Sequence, residues 1–292
     1  MGFQLFLLLE KFLMMLPHKA RKGFFVFLGY FAYCLSASSR KTVKQNLQFV
    51  FPQMKKEEIK AITKYSFKNL MLNFLHLMEL RHMTKEELRQ RVTIQNKEVV
   101  DAIHAQGRAV IYVTTHYSSW ELGGSAISAF IEPLGAVYKK MKNKDYENWV
   151  LESRSRFGNI NLEKTKVIKP LIRLLKKKMA SGILIDTKIN EREGVEVEFL
   201  GKKIRQTSTP AFLARKFNAA IVPVAMRTDD DEHYTLMIFD EIKVEKTEDE
   251  KADILKSTQL QADWLSNLIK REPKFWFWLH KRFKGEYPEI YR

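Results

Sequence analysis

Ile111-Tyr-Val-Thr-Thr-His116-Tyr-Ser-Ser-Trp-Glu121-Leu-Gly-Gly124 is the stretch on which the reading of this chain turns. Its lead-in, Ala109-Val-Ile-Tyr-Val, is apolar almost throughout, as a strand buried on both faces must be. The run from Ser119 to Phe130 then reads as a helix. A histidine therefore stands at the carboxyl end of a buried strand, where ligands gather in open α/β sheets.

The flanking sequence extends this pattern. Short β-branched runs at Ala136–Lys139, Gly182–Ile185, Ile221–Arg227 and Tyr234–Val244 predict further strands beside Ala109–Thr114. They alternate with predicted helices at Lys97–Ala105, Asp145–Arg156, Ile168–Met179, Pro210–Phe217 and Lys251–Lys270. Alternation of this kind predicts an α/β fold with a mixed sheet flanked by helices. Upstream, residues 55–91 read as helices, with Leu70, Met71, Phe74, Leu75 and Met78 in helical spacing and Thr84-Lys-Glu-Glu as a capping signal. Connections are short, so the expected organisation is one α/β domain over 51–292 behind an N-terminal helical region, 1–50.

Histidine titrates near neutrality and can take a proton from an alcohol. A nearby carboxylate can hold its tautomer and stabilise the imidazolium. Glu121 lies five residues on, which along a helix is about 140° round the axis, so the two would diverge if both were helical. The pair converges only with His116 in the loop and Glu121 in the first helical turn. Ser118-x-x-Glu121 is also a capping-box pattern, which would give Glu121 a structural job. The local pattern leaves both readings open.

The 292 residues carry 50 Lys+Arg against 34 Asp+Glu, a net charge of +16. That excess fits a polyanionic partner, whether nucleic acid, anionic lipid, phosphorylated substrate or acidic carrier protein. Cys34 is the single cysteine, which excludes an internal disulfide and a cysteine-built zinc site.

At the N-terminus two apolar runs, residues 3–16 and Phe24–Ala37, are separated by Lys19, Arg21 and Lys22 and followed by Arg40, Lys41 and Lys44. Gln4, Lys11 and His18 form one narrow polar stripe on the first, with Glu10 beside it. A spanning helix needs about 20 apolar residues, and each run is shorter. The expectation is a membrane anchor of helices lying in the interface, or one tilted, marginal span; the alternative is a pair of buried core helices.

The box His116-x4-Glu121 on a strand-to-helix turn, with Trp120 before the Glu, resembles the His-x4-Asp/Glu box of glycerolipid and lipid A acyltransferases. More specifically, the chain resembles the late lipid A acyltransferases of lauroyl/myristoyl type over nearly its whole length. Asn46-Leu-Gln-Phe-Val-Phe-Pro52 is similar to that family's Asn-Leu…Phe-Pro segment. Asp186 followed by Gly194-Val-Glu-Val-Glu-Phe199-Leu-Gly201 is similar to its Asp…Gly-x-x-Val-x-Phe-Phe-Gly segment. Thr207, Pro210, Ala211 and Ala214 precede Ile221-Val-Pro-Val in the family's manner, and Trp276-Phe-Trp-Leu-His280-Lys-Arg282 resembles its C-terminal Trp-x-x-x-His-x-Arg region. Ser119 replaces a common Asn, Leu200 a common Phe, and Thr187 a frequent Gln, all outside the box itself.

The resemblance implies a glycerol-phosphate acyltransferase-like fold at the cytoplasmic face of a bacterial inner membrane. It implies transfer of a fatty acyl group from acyl carrier protein to a hydroxyl on a phosphorylated lipid A precursor, with no metal or organic cofactor. In that reading His116 is the general base and Glu121 orients it or contacts the acceptor. An arginine from the segment ending Asp145–Arg156 stabilises the oxyanion, Arg156 being preferred over Arg154, which is left to bind substrate with Asp186 and Arg282. A structural role for Asp186 in the Lys188–Gly194 loop is a rival. Acylation of another glycolipid, such as a phosphatidylinositol mannoside, is the near alternative. A non-catalytic basic membrane- or nucleic-acid-binding protein is the distant one, and the lead reading has no nucleic-acid partner. Ile168–Lys178 is basic and amphipathic, suited to lipid headgroups, an acidic carrier or plain solvent. In Phe275–Lys284 the aromatics are expected in the core and the cations near lipid phosphates, while Gly194 and Gly201 are expected at turns.

Overall fold

A computed structural model of the protein describes residues 2–189 and 193–292. Helices α1 (Gly2–Met15), α2 (His18–Leu35), α3 (Ala37–Val50), α4 (Lys56–Leu80) and α5 (Lys85–Arg91) lead into β1 (Val92–Gln95), α6 (Glu98–Ala105) and β2 (Val110–Thr114). Then come α7 (Trp120–Phe130), β3 (Leu134–Tyr138), α8 (Lys144–Ser155), β4 (Ile160–Glu163), α9 (Ile168–Lys176) and β5 (Ala180–Leu184). A hairpin of β6 (Val195–Phe199) and β7 (Lys202–Gln206) precedes α10 (Thr209–Phe217), β8 (Ala220–Arg227), β9 (Tyr234–Ile238) and α11 (Glu250–Arg271).

The main sheet has the order β1-β9-β8-β2-β5-β3-β4. From β8 to β4 neighbouring strands are parallel, whereas β9 runs antiparallel to β8 and carries β1 parallel to itself. The mixed α/β class expected from the sequence is thus present. Strand β2 lies in the middle, and its alternate residues enter two separate cores. Val110 and Tyr112 pack on the face covered by α7, and Ile111 and Val113 on the opposite face with the residues of α9, α10 and α11. That double burial is why the stretch is apolar at consecutive positions.

In the main sheet two strands went unpredicted, β1 and β4, and they are its two edges. Each has four residues with polar ones among them, Val-Thr-Ile-Gln and Ile-Asn-Leu-Glu, so neither shows a continuous apolar run. The hairpin β6–β7 was legible only as a motif, although Val-Glu-Val-Glu-Phe alternates with period two. Its two-residue turn, Leu200-Gly201, has φ of 52° and 74°, and Gly194 at its start has φ of 70°. Both glycines therefore serve turn geometry. Thr84 caps α5 with a complete capping box through Glu87.

The N-terminal runs form separate helices, broken at Pro17, and among the described residues no helix is long and apolar enough to cross a membrane. Their packing splits the expected polar stripe: Gln4 and Lys11 stay exposed, while Glu10 turns inward. Glu10 is buried and accepts from Trp149 Nε1 at 2.8 Å and His82 Nε2 at 3.0 Å, with Arg81 Nε at 3.1 Å. Glu79 of α4 is buried too and meets His18 at 2.8 Å, Arg21 at 3.0 Å and Arg91 at 2.5 Å. The two carboxylates thus pin α1 and α2 to α4 and α8. Gln4, Lys11 and the large apolar residues Leu5, Leu8, Phe12, Met15, Phe27, Phe31 and Leu35 face outward.

Burial pushes the Glu79 carboxyl up, but the hydrogen bond from His18 and the charges of Arg91 and His18 outweigh it and bring it down to about 2. Its contribution to stability is in place above the ordinary carboxylate range and is lost as pH falls toward 2. Replacing Glu79 with Gln strands the Arg21 and Arg91 guanidinium groups and is expected to cost about 3 kcal/mol, read as a lowered urea midpoint at neutral pH.

Candidate active site

Strands β2 and β5 pair in parallel with Thr114 opposite Leu184, a register that carried two residues further sets His116 against Asp186. Beyond the strands Ile185 N donates to Thr114 O at 3.0 Å, so the pairing continues toward the site. His116 Nδ1 donates to Asp186 Oδ1 at 3.0 Å, and Asp186 Oδ2 accepts from Thr115 Oγ1 at 2.7 Å, His116 N at 2.9 Å and Trp276 Nε1 at 3.0 Å. The group that orients His116 is therefore Asp186, where the sequence reading had Glu121 either orient it or contact the acceptor. Of the rival Lys188–Gly194 loop role, residues 190–192 lie outside the described residues.

The His116 loop is clamped from both sides. Ser118 N donates to Phe275 O and Phe277 N to His116 O, each at 2.9 Å, so the C-terminal segment runs beside it as a short antiparallel bridge. From α4, Asn69 Nδ2 and Asn73 Nδ2 both donate to Ser118 O, at 3.0 and 2.9 Å. Ser118 has φ of 49°, an unusual conformation that this double hydrogen bond holds. Asn46 Nδ2 of α3 donates to Trp278 O at 2.8 Å and His280 O at 2.9 Å, tying down the same segment.

Glu121 does lie in the first turn of α7, as spacing required, and His116 in the loop before it. The capping box does not form. Residue Ser119 is the N-cap and makes no side-chain cap bond; its Oγ is hydrogen-bonded to His76 Nδ1 at 2.7 Å. Instead Glu121 is gripped by Arg154, Nε to Oε2 at 2.9 Å and Nη2 to Oε1 at 2.6 Å, while Trp120 Nε1 donates to Oε1 at 3.1 Å. Among the described residues Arg154 Nη1 has no hydrogen-bond partner, and Arg154 lines the same cavity as His116 and Glu121. Arg156, favoured from sequence, stands at the C-cap of α8 and donates to Met83 O at 3.3 Å, away from that cavity. Two residues along a helix is about 200° round the axis, so the two arginines point to opposite sides and only the rotation of α8 decides which faces the cavity.

Arg282 is 1% exposed and donates to Arg205 O at 2.9 Å. Burial brings its guanidinium down to about 10 against the charges of Glu286 and Asp186. It sits behind Asp186, not on a surface facing lipid phosphates. The neighbouring aromatics Phe275, Trp276, Trp278 and Phe283 are core residues, as expected. His280 stacks on Phe277 at 5.7 Å and is held down to about 4 by burial, hence neutral.

Burial pushes the His116 imidazole down, but the charge and hydrogen bond of Asp186, with the charge of Glu121, outweigh it and leave the ring above the ordinary histidine value. Burial likewise opposes the ionised Asp186, yet the His116 contact and the surrounding donors hold it far below the usual carboxylate range. With Nδ1–H committed to Asp186, Nε2 carries the lone pair, and Trp120 and Phe277 flank the ring at 5.2 and 5.9 Å. Neither aromatic was singled out as a contact of His116 from sequence, though both are neighbours of motif residues.

From His116 a cavity of about 110 Å³ runs beneath α7, lined by Thr114, Trp120, Gly123, Gly124, Tyr138, Leu184, Val224 and Met226 among others. Its lining is polar around His116, Glu121 and Arg154 and otherwise largely apolar. A base held by a carboxylate, an arginine with a free N–H and an apolar channel can together deprotonate an alcohol beside an electrophile that carries a long apolar group.

The profile of a family described as "Bacterial lipid A biosynthesis acyltransferase" matches residues 2–285. The lipid A biosynthesis lauroyltransferase of Escherichia coli (strain K12) is 24% identical over 88% of this chain and 83% of its own length. The lipid A biosynthesis myristoyltransferase of the same organism is 23% identical over 74% and 67%. A phosphatidylinositol mannoside acyltransferase of Mycolicibacterium smegmatis is 23% identical over 64% and 62%. The structure separates the two arginines in space: Arg154→Met is expected to lower turnover by roughly a hundredfold, and Arg156→Met to leave it within about twofold, measured as steady-state acyl transfer by variants of matched thermal stability.

Proposed function

On that match the chain belongs to the bacterial lipid A biosynthesis acyltransferase family, and from this premise we propose that it moves a fatty acyl group from acyl carrier protein to a hydroxyl of a lipid A precursor. The observation that carries the reading is the His116–Asp186 pair at the mouth of an apolar cavity. His116 Nε2 takes the proton of the acceptor hydroxyl, the 3-hydroxyl of an acyl chain already on the phosphorylated disaccharide. The alkoxide attacks the thioester carbonyl and a tetrahedral oxyanion forms. Arg154 Nη1 and the N-terminal N–H groups of α7 are the donors that can meet it. Collapse breaks the C–S bond, forms the ester, and returns the proton from His116 to the departing thiolate. Glu121 holds Arg154 in place while Asp186 holds the base.

Two surfaces support the partners in this reading. Lys139, Lys140, Lys142 and Lys144 after β3, with Lys164, Lys166 and Lys169 after β4, are exposed at the carboxyl ends of adjacent strands beside the mouth. They suit a carrier protein rich in acid and an acceptor with several phosphates. The outward apolar faces of α1 and α2, with Leu8 65%, Phe12 55% and Phe31 53% exposed, suit helices lying in an anionic bilayer surface. In that arrangement residues 1–50 are the membrane-associated region of an acyltransferase domain at the inner face of the bacterial inner membrane. The mycobacterial relative supports a second reading, acylation of a different glycolipid. The buried aromatics of the C-terminal segment offer no stacking platform for nucleic-acid bases.

Purified protein, acyl carrier protein loaded with a fatty acid and a lipid A precursor form the test, with the product read by mass spectrometry. Added acyl mass on the precursor is expected, falling by about 10²–10⁴-fold in His116→Ala. The rate rises with pH through the raised His116 value, because the base must be unprotonated; Asp186→Asn is expected to move that midpoint down and lower kcat. No transfer to the precursor, with transfer to a phosphatidylinositol mannoside, would decide for the second reading. In vesicle flotation with anionic lipid, the combined Leu8→Glu, Phe12→Glu and Phe31→Glu protein is expected to float at least tenfold less than the parent; equal flotation would rule out the interfacial helices.

A further inference from the structure

The depth of the cavity follows from the sheet. On β2 the side chains facing α7 are Thr114 and, one step lower, Tyr112; on β5 they are Leu184 and Gly182. Both pairs line the cavity, so it descends along the strand axis from His116 as far as Tyr112. Four residues of chain separate these levels, at most about 13 Å. Ile127 of α7 and Leu134 of β3 close the same end.

Tyr112 is fully buried, and its hydroxyl donates to Glu132 Oε1 at 2.9 Å. The same oxygen accepts from His104 Nε2 at 2.9 Å. Glu132 lies just past the foot of α7 and His104 near the foot of α6. The phenol ring is thus fastened at its far end to the opposite layer and cannot swing aside to lengthen the channel. The walls above it are kept open by missing side chains. A Cβ on Gly124 would meet no atom within 4 Å, and one on Gly182 would stand 3.2 Å from Leu134.

We infer that Tyr112 is the floor of the acyl channel and sets the length of the fatty acyl chain this enzyme transfers. This rests on the acyl-transfer reading above. The methyl end of the chain stops against the ring, and a longer chain leaves its thioester short of His116 Nε2. Shortening the side chain extends the channel toward Glu132 and His104, which still hold each other. Filling the wall at Gly124 shortens the channel from the other side.

The test is competition between equimolar acyl carrier proteins loaded with saturated chains of graded length, with products weighed by mass spectrometry. In Tyr112→Ala the ratio of longer to shorter chains transferred is expected to rise roughly tenfold, the effect of burying two further methylenes. In Gly124→Leu the ratio falls by a similar factor. Tyr112→Phe keeps the ring and is expected to retain the parent's preference. Unchanged preference in active Tyr112→Ala and Gly124→Leu overturns the floor assignment while leaving acyl transfer intact. Should Tyr112→Ala fail to fold, Gly124→Leu decides alone, an unchanged preference again overturning it. Absence of transfer by the parent with every chain length instead overturns the acyltransferase reading.

Discussion

The Asp186 carboxylate is the constraint on which the site depends. It is buried, and a buried charge is tolerated only when its lone pairs are answered. Four donors answer it: the imidazole and backbone N–H of His116, the Thr115 hydroxyl and the Trp276 indole. These come from the end of β2 and from the C-terminal segment, while Asp186 itself follows β5. One carboxylate thus joins the centre of the sheet to a stretch some ninety residues later in sequence, which is why the C-terminal aromatics are core residues and not a surface patch.

Two acidic groups near His116 have different work because their surroundings differ. Asp186, inside and next to the imidazole, raises the affinity of His116 for its proton and fixes which nitrogen faces the cavity. Glu121, at the start of α7, is committed on both oxygens to Arg154. It meets the cavity beside that arginine, whose Nη1 has no hydrogen-bond partner among the described residues. The division resembles other paired-carboxylate sites, in which environment rather than residue type assigns the role.

The same device recurs at the N-terminus. Glu10 and Glu79 spend their charge on several cationic or N–H partners each, and thereby attach helices whose apolar faces remain outside. Polar pins beside the apolar contacts of Leu13 and Phe25 hold α1 and α2 in place while a second apolar face stays exposed.

Much was legible in the chain itself. The consecutive apolar residues of Ala109–Val113 announced a doubly covered strand, and the five-residue step from His116 to Glu121 placed one in a loop and the other in a first helical turn. The helix and strand types of the larger elements, the turn glycines Gly194 and Gly201, and the core placement of the aromatics Phe275, Trp276, Trp278 and Phe283 were read from the sequence, and the family followed from motifs spread along the whole length. The tertiary structure alone decided which groups touch. That Asp186 rather than Glu121 holds His116 depends on the register of two parallel strands seventy residues apart, as the pairing of Ile111 with Ser181 records. That Arg154 rather than Arg156 reaches Glu121 depends on how α8 is rotated against α7. Local sequence sets side-chain direction along one element, but register and rotation between elements are settled by the packing of all of them together.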